Sequence, residues 1–253
     1  MNCVKLLAVQ PFSPQHLITV IACLFAMILF AAFGRRCKRN DREFNLRRSF
    51  ALFFIAWQVF TTIWWLLPRN YDVAVSLPLH VCDLAAWIAP FALLFQDKRW
   101  LRTMLYFWGF GFSTEAFITP ILDHGPDSVH FWLFWGGHTL IVGAALYDVV
   151  VCGYRPRFRD FLVATAFSLS YSAIIIGLNV AIGANYGYLG QSKPGAPTLI
   201  DHLGQWPLRA IWMILLGELF MLLLWAPWAI AGRNGKRELT NTRTSASSLP
   251  HRP

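Results

Sequence analysis

Residues 76–84 read Ser-Leu-Pro-Leu-His-Val-Cys-Asp-Leu, and an apolar run continues from them to Phe95. His80, Cys82 and Asp83 therefore stand together at the start of a segment that is long enough to enter a membrane. Ionisable side chains inside membrane segments are costly and tend to be functional. We therefore expect this stretch to carry the function of the protein.

The composition predicts an all-α membrane protein. Of its 253 residues, 56% are hydrophobic and 14% are charged, whereas a soluble domain carries about 25% charged residues. Seven apolar stretches are long enough to cross a bilayer as helices, at about 15–34, 49–67, 77–95, 101–121, 129–151, 160–183 and 208–231. Residues 1–232 are thus predicted to form one polytopic bundle of seven transmembrane helices. Residues 233–253 are polar and basic, which predicts a disordered cytoplasmic tail.

The basic residues indicate an orientation in the membrane. The segments 35–48, 96–102 and 152–159 and the tail hold 18 of the 22 Lys and Arg residues, and the segments on the other side hold 4. By the positive-inside rule, the N-terminus is outside and the C-terminus is cytoplasmic, in a multi-pass protein of the cell (cytoplasmic) membrane. The net charge of +9 is therefore a membrane pattern, and we expect no nucleic-acid partner. The sequence leaves the oligomeric state open.

Polar residues of the predicted spans segregate by depth. Counted at about 1.5 Å per helical residue, those in the outer half of the bilayer are Cys82, Glu115, His138, Asn179 and Glu218. Scattered core residues would not segregate in this way. The pattern predicts one polar cavity that opens to the outer leaflet.

The fourth predicted span is the weakest helix of the seven. Gly109, Gly111 and Ser113 interrupt it, and Thr119-Pro120 ends it. Inside a bundle such a segment is tolerated, because neighbouring helices can satisfy its polar groups.

The outer segment 184–207 is long and rich in aromatic residues, Gly and Pro. Long loops of this kind often act as functional lids, and we predict that this one shapes the substrate entrance through Asn185, Tyr186, Tyr188, Lys193 and Trp206. The alternative is a membrane-interface anchor, since Tyr and Trp favour the headgroup level.

The start of the third span predicts how Cys82 is presented. Ser76 is the expected N-cap, with Pro78 in the first turn, which puts Cys82 within about two turns of the helix N-terminus. His80 and Cys82 would lie about 200° apart around an ideal helix, whereas His80 and Asp83 can pair.

A cysteine and a histidine on neighbouring helices can form a nucleophile–base pair. We therefore predict Cys82 and His138 as the catalytic residues. His80 and Asp83 are predicted as a supporting unit, with Glu115, Asn179 and Glu218 as further polar support. Gly136-Gly137 would allow a helix or an acyl chain to approach closely.

Other interpretations of the same residues stay open. A lone buried Cys is usually an inert small hydrophobic residue, and Glu115 and Glu218 can instead be protonated groups that bridge helices. A non-enzymatic transporter or sensor is also compatible with polar groups in the spans. No clustered His/Glu motif of a zinc hydrolase is present, although His80, Cys82, His138 and Glu115 could converge on a metal. We expect neither a metal nor a cofactor.

Five motifs resemble a known family. They are Leu77-Pro78-Leu79-His80-Val81-Cys82-Asp83-Leu84, Thr119-Pro120, Gly137-His138, Asn185-Tyr186-x-Tyr188-Leu189…Lys193-Pro194 and Leu203-Gly204-x-Trp206-Pro207. In these motifs, over roughly residues 45–231, the chain resembles the YwaF-type family of bacterial integral membrane proteins. That family includes eukaryotic transmembrane protein 164, a cysteine-dependent phospholipid acyltransferase.

The resemblance implies an acyltransferase activity. Cys82 would correspond to the cysteine that accepts the acyl group and His138 to its partner histidine. A fatty acyl chain would then move from a phospholipid to a lysophospholipid through a thioester. If water replaces the lysophospholipid, the same Cys/His pair would make the protein a lipid or fatty-ester hydrolase.

Overall fold

The computed structural model describes residues 9–122, 124–191 and 199–247, and all regular secondary structure in these residues is helical. The α-helices are α1 (Pro14–Arg39), α2 (Glu43–Leu66), α3 (Val81–Leu94), α4 (Arg99–Met104), α5 (Val129–Val150), α6 (Phe158–Ile182) and α7 (Leu208–Ser247). Short 3₁₀ turns cover Tyr186–Tyr188 and Leu199–Leu203. The predicted all-α fold is confirmed.

Five of the described helices are long and apolar enough to cross a membrane, and they are α1, α2, α5, α6 and the Leu208–Ala231 part of α7. Helix α3 is apolar but has only 14 residues. Helix α7 continues to Ser247, into the segment that we predicted as a disordered tail. Its extension needs no new nucleation, because each added residue continues an existing helix.

The fourth segment changes its winding along its length. Helix α4 passes into a π-helix at Leu105–Gly111 and then into a 3₁₀-helix at Phe112–Phe117. A Cβ atom at Gly109 would lie 3.0 Å from Leu105 Cδ1 and 3.2 Å from Ile141 Cγ2, so the glycine gives the π-helix room beside α5. π-Turns are frequent at functional sites. The predicted weakness of this segment as an α-helix is thus visible in its winding.

Helix α3 lies at the centre of the bundle, in contact with α2, α5, the π-helix and the following 3₁₀-helix. Cys82, Ala86, Ala89 and Leu93 follow one another at helical spacing and therefore share one face of α3. The last three are buried, whereas Phe91 on the opposite face is exposed. Cys82 is thus the first residue of a face that points into the bundle.

Buried ion pairs close one end of the bundle, which we call the basic end. The Arg102 guanidinium lies 3.0 Å from the Asp148 carboxylate, which is 1% exposed. Arg99 forms an ion pair with Asp160 in the same region. The Lys38 ammonium group donates to the Val151 carbonyl at 2.5 Å and joins α1 to the end of α5.

Candidate active site

Helix α3 begins later than the sequence predicts, and this changes the position of Cys82. Its N-cap is His80, so Cys82 is the second residue of the helix. The expectation that Ser76 is the N-cap is wrong, because its hydroxyl accepts from the Asp72 N–H at 2.9 Å and donates to the Asn70 carbonyl at 3.1 Å. These bonds close a turn ahead of the helix. Cys82 consequently lies in the first turn, where the helix dipole favours negative charge.

Asp83 fixes this helix start. Its carboxylate accepts a hydrogen bond from the His80 backbone N–H at 3.0 Å, as the third residue of a capping box does. The Tyr171 hydroxyl, on α6, donates to the Leu79 carbonyl at 2.8 Å. The backbone on both sides of His80 is therefore held in place.

The segment 184–191 closes over the start of α3 and is anchored by Tyr186. The Tyr186 side chain is completely buried, and its hydroxyl accepts from the Leu77 N–H at 3.0 Å and donates to the Val73 carbonyl at 2.8 Å. Its own backbone N–H and carbonyl are paired with the Asn179 side chain at 2.8 and 2.9 Å. Tyr186 and Asn179 thus connect the end of α6 to the start of α3.

Two further residues of the predicted entrance stabilise the same segment. The Asn185 side chain accepts from the Gly190 N–H at 2.8 Å, and the Trp206 indole N–H donates to the Leu189 carbonyl at 3.1 Å. Lys193, which we also predicted at the entrance, lies outside the described residues.

Tyr188 differs from these anchors, because its hydroxyl has no hydrogen-bond partner among the described residues. It has a left-handed backbone with φ of 58°, a conformation that side-chain-bearing residues adopt rarely. Burial raises the pKa of the Tyr188 phenol, so the hydroxyl stays protonated and is available as a donor. Negative charges on Cys82, Glu115 and Asp83 would be close enough to act on the Tyr188 phenol.

His80 lies inside the same cluster, between two aromatic rings. Its ring centroid is 5.3 Å from that of Tyr186 and 5.5 Å from that of Tyr188. The Gly187 N–H donates to His80 Nδ1 at 3.3 Å, so the neutral ring carries its proton on Nε2. A positive charge on His138 would be close enough to oppose protonation of His80. The ideal-helix angle used in the sequence prediction does not apply, because His80 precedes the helix.

His138 on α5 has the tautomer that a general base requires. Its Nδ1 lies 2.8 Å from the Phe134 carbonyl, which can only accept, so Nδ1 carries the proton and Nε2 has the lone pair. Nε2 has no hydrogen-bond partner in the described parts of the chain, and it is not one of the polar atoms there that are both fully buried and unpaired. The rings of Phe134 and Phe117 flank the imidazole at 4.5 and 6.5 Å.

Cys82 is partly accessible even though protein groups enclose it. The charges of Asp83 and Glu115 act on the Cys82 thiol. A charge on Cys82 would in turn act on the phenols of Tyr171 and Tyr188. No hydrogen bond joins the Cys82 thiol to the His138 imidazole in the described structure. Helices α3 and α5 pack against each other, and His80, two residues before Cys82, is the residue at the start of α3 that interacts with His138.

The remaining predicted residues have separate roles. Glu115, on the 3₁₀-helix after the π-helix, accepts a hydrogen bond from Thr119 and is exposed. Glu218 accepts from the Thr165 hydroxyl at 2.6 Å and joins α7 to α6. Tyr171 was absent from the sequence prediction, since a tyrosine in an apolar helix has no distinguishing pattern.

The described residues contain no group of three or more His, Cys, Asp or Glu side chains that could hold a metal ion. His80 and His138 each direct one ring nitrogen to a backbone partner. The ionisable side chains at and beside the start of α3 are the Cys82 thiol, the His80 imidazole, the Asp83 carboxyl group and the phenols of Tyr171, Tyr186 and Tyr188.

Comparison with known proteins agrees with the motif resemblance. The model of the TMEM164 family matches residues 11–226 and thus covers every residue of the cluster described above. No curated protein and no solved structure gives a significant match. Since the family match extends over most of the chain, the protein is a membrane protein that belongs to the TMEM164 family.

Proposed function

We propose that the protein is a membrane lipid acyltransferase that moves a fatty acyl chain from a phospholipid to a lysophospholipid through a thioester on Cys82. The observation that carries this proposal is that a thiol and an imidazole with a free nitrogen lie on neighbouring helices, α3 and α5. Cys82 is partly accessible in the first turn of α3, and His138 has an unpartnered Nε2. A thiol nucleophile and an imidazole base on neighbouring helices suit acyl transfer.

In the first half of the reaction, His138 Nε2 accepts the proton of the Cys82 thiol. The sulfur forms a bond to the ester carbonyl carbon, and the π electrons of the C=O bond move to its oxygen. When the carbonyl re-forms, the C–O bond to the glycerol breaks. The departing lysophospholipid alkoxide takes the proton from His138, and the acyl group remains on Cys82.

In the second half, a hydroxyl of the acceptor lysophospholipid gives its proton to His138 and attacks the thioester carbon. The C–S bond breaks, and the Cys82 thiolate recovers the proton. Water in place of the acceptor gives hydrolysis from the same acyl-enzyme, and this is the second outcome of the chemistry. Asp83 and His80 hold the start of α3 during both halves.

The membrane arrangement that suits this chemistry has seven crossings, with the N-terminus outside. Helix α3 and the segment from α4 to Phe117 would then supply the two crossings beyond the five long helices. The basic end would face the cytoplasm, and Cys82 would lie in the outer half of the cell membrane. Tyr188 would meet the lipid headgroup or glycerol at the entrance.

The test is acyl transfer by the purified protein in vesicles of phosphatidylethanolamine and phosphatidylglycerol with isotope-labelled acyl chains and an added lysophospholipid. Transfer should be lost in Cys82→Ala and fall steeply in His138→Gln. Cys37→Ala is the matched control, because Cys37 is a buried thiol at the basic end of α1. The wild-type protein should carry a label that hydroxylamine releases, as a thioester requires.

Full transfer by Cys82→Ala would refute the thioester mechanism. Release of free fatty acid without transfer would assign the protein to the hydrolases. Uptake of a solute with no acyl chemistry at all would favour a transporter.

A further inference from the structure

Helix α2 carries a row of polar side chains that the chemistry above does not use. We call Trp57, Gln58, Thr61 and Thr62 the α2 donor row. Trp57 Nε1, Thr61 Oγ1 and Thr62 Oγ1 are buried and have no hydrogen-bond partner. Gln58 is 5% exposed and makes no hydrogen bond to any described residue. Buried polar groups are nearly always paired in folded proteins, so a cluster of unpaired ones requires an explanation.

The donor row lies at the depth of Cys82. Helices α2 and α3 run antiparallel, because the Arg47 guanidinium near the start of α2 donates to the Leu93 carbonyl near the end of α3. Gln58 follows Arg47 by eleven residues, and Cys82 precedes Leu93 by eleven, which is about 17 Å along each helix. Gln58 and Cys82 are therefore level with each other in the bundle.

Gln58 also points toward α3. Ala51, Phe54 and Gln58 are spaced so that they share one face of α2. Ala51 and Phe54 are completely buried in the same core cluster as Ala86 and Leu93 of α3. The face of α2 that ends in Gln58 thus packs against the helix that carries Cys82.

Trp57 connects the same level to His138. A Cβ atom built on Gly136 would lie 2.7 Å from Trp57 Cζ2, and one built on Gly137 would lie 4.0 Å from Trp57 Nε1. The indole N–H is therefore beside the residue that precedes His138. Gln58 thus lies at the depth of Cys82, and the adjacent Trp57 lies beside Gly137, next to His138. Cys82 and His138 are therefore at a similar depth in the bundle.

Chemistry indicates what the donor row would bind. An indole N–H only donates, and the amide of Gln58 brings two more N–H donors. These neutral N–H donors match an uncharged ligand that presents acceptor oxygens. At the depth of Cys82, the oxygens that an acyl lipid presents are those of its ester.

We propose that Gln58, with the Trp57 indole N–H, binds the ester carbonyl oxygen of the acyl lipid and stabilises the oxyanion that forms when Cys82 attacks. Thr61 and Thr62, one turn further toward the entrance, would contact the neighbouring glycerol oxygens. The negative charge then rests on the carbonyl oxygen between these donors and returns to form the thioester carbonyl as the C–O bond breaks. This inference rests on the proposed acyl-transfer function.

The experiment compares two glutamines by the same substitution. Gln58→Met keeps the size of the side chain and removes its donors. Gln96→Met is the matched control, since Gln96 is bonded to the Ala92 carbonyl at 2.8 Å and to Asp148 at 3.2 Å at the basic end. Transfer is measured in the labelled vesicles described above, together with the thermal midpoint of the purified proteins.

The two variants should change in opposite ways. Gln58→Met should lose about 100-fold in kcat with little change in KM, which is the usual effect of removing an oxyanion donor, and its thermal midpoint should not fall because it breaks no bond. Gln96→Met should keep its kcat and lose thermal stability. Trp57→Phe should reduce kcat by a smaller factor, because it removes one N–H donor and leaves both N–H donors of the Gln58 amide in place.

Two results would overturn the inference. One is a kcat of Gln58→Met within threefold of wild type while Cys82→Ala is inactive, which would leave the acyl-transfer function standing. The other is a loss of stability in Gln58→Met equal to that in Gln96→Met, which would show that Gln58 has a structural partner such as water. If Cys82→Ala itself stays active, the proposed function fails and the inference fails with it.

Discussion

Removing the Tyr186 hydroxyl should lower the stability of the protein, because this hydroxyl anchors the segment 184–191 at the start of α3. In Tyr186→Phe the buried ring stays, including its contact with His80, but two hydrogen bonds are lost. The Leu77 N–H is left unpaired at a half-buried position, and the exposed Val73 carbonyl can turn to water. An unpaired buried donor costs about 1–2 kcal/mol and a replaced bond about 1 kcal/mol, which gives about 2–3 kcal/mol in total.

This loss is large enough to measure. For a chain of this length 1 kcal/mol corresponds to about 2–4 °C, so the thermal midpoint of Tyr186→Phe in detergent should fall by about 5–10 °C. Transfer activity should fall as well, since the hydroxyl holds the backbone just ahead of Cys82.

Tyr188→Phe is the matched control, two residues away. Its hydroxyl has no partner in the described structure, so its midpoint should stay within about 2 °C of wild type. If Tyr188→Phe is the less stable of the two, or if Tyr186→Phe is as stable as wild type, the assignment of Tyr186 as the anchor is refuted.

Substitutions elsewhere test the packing and the basic end. Gly136→Ala would place a Cβ atom 2.7 Å from Trp57 Cζ2 and should cost about 1–3 kcal/mol of unfolding free energy. Gly177→Ala has no atom within 4 Å of the new Cβ, so denaturation should find it unchanged or slightly more stable. Arg102→Met would leave the buried Asp148 carboxylate without its counter-charge and should cost about 3–5 kcal/mol. The double variant with Asp148→Asn should recover most of that loss, and a double variant as unstable as the single one would contradict the ion-pair explanation.

Apolar length and the positions of glycine and proline made the helical architecture predictable. They also indicated where the fourth segment weakens, because Gly109 and Gly111 fall where the π-helix forms. The start of α3 was not predictable in the same way. Ser76 followed by Pro78 has the pattern of a helix start, but contacts with Tyr186, more than a hundred residues away, decide the backbone there.

Cys82 and His138 were predicted from depth and residue type alone, and their role as a catalytic pair stays a prediction. His80 was assigned to a different side by an ideal-helix angle, which fails because the residue is the N-cap. Gln58, Thr61 and Thr62 were missed even though three polar residues in an apolar span are a recognisable signal. These residues matter only if they lie on the buried face of α2, and their spacing along the sequence does not show which face is buried.

The division between paired and unpaired polar groups explains how this site combines stability with reactivity. Tyr186, Asn179 and Asp83 have their hydrogen bonds satisfied by the chain itself, so they hold the end of α6 against the start of α3. His138 Nε2 and the Gln58 amide have no hydrogen-bond partner within the described residues, and neither is among the fully buried unpaired atoms there. In the proposed reaction both groups are paired, since the ester carbonyl oxygen accepts from the Gln58 amide and the Cys82 thiol gives its proton to His138 Nε2. The Gln58 amide would accelerate the reaction to the extent that it binds the developing oxyanion more strongly than the ester carbonyl oxygen, which is the condition for catalysis.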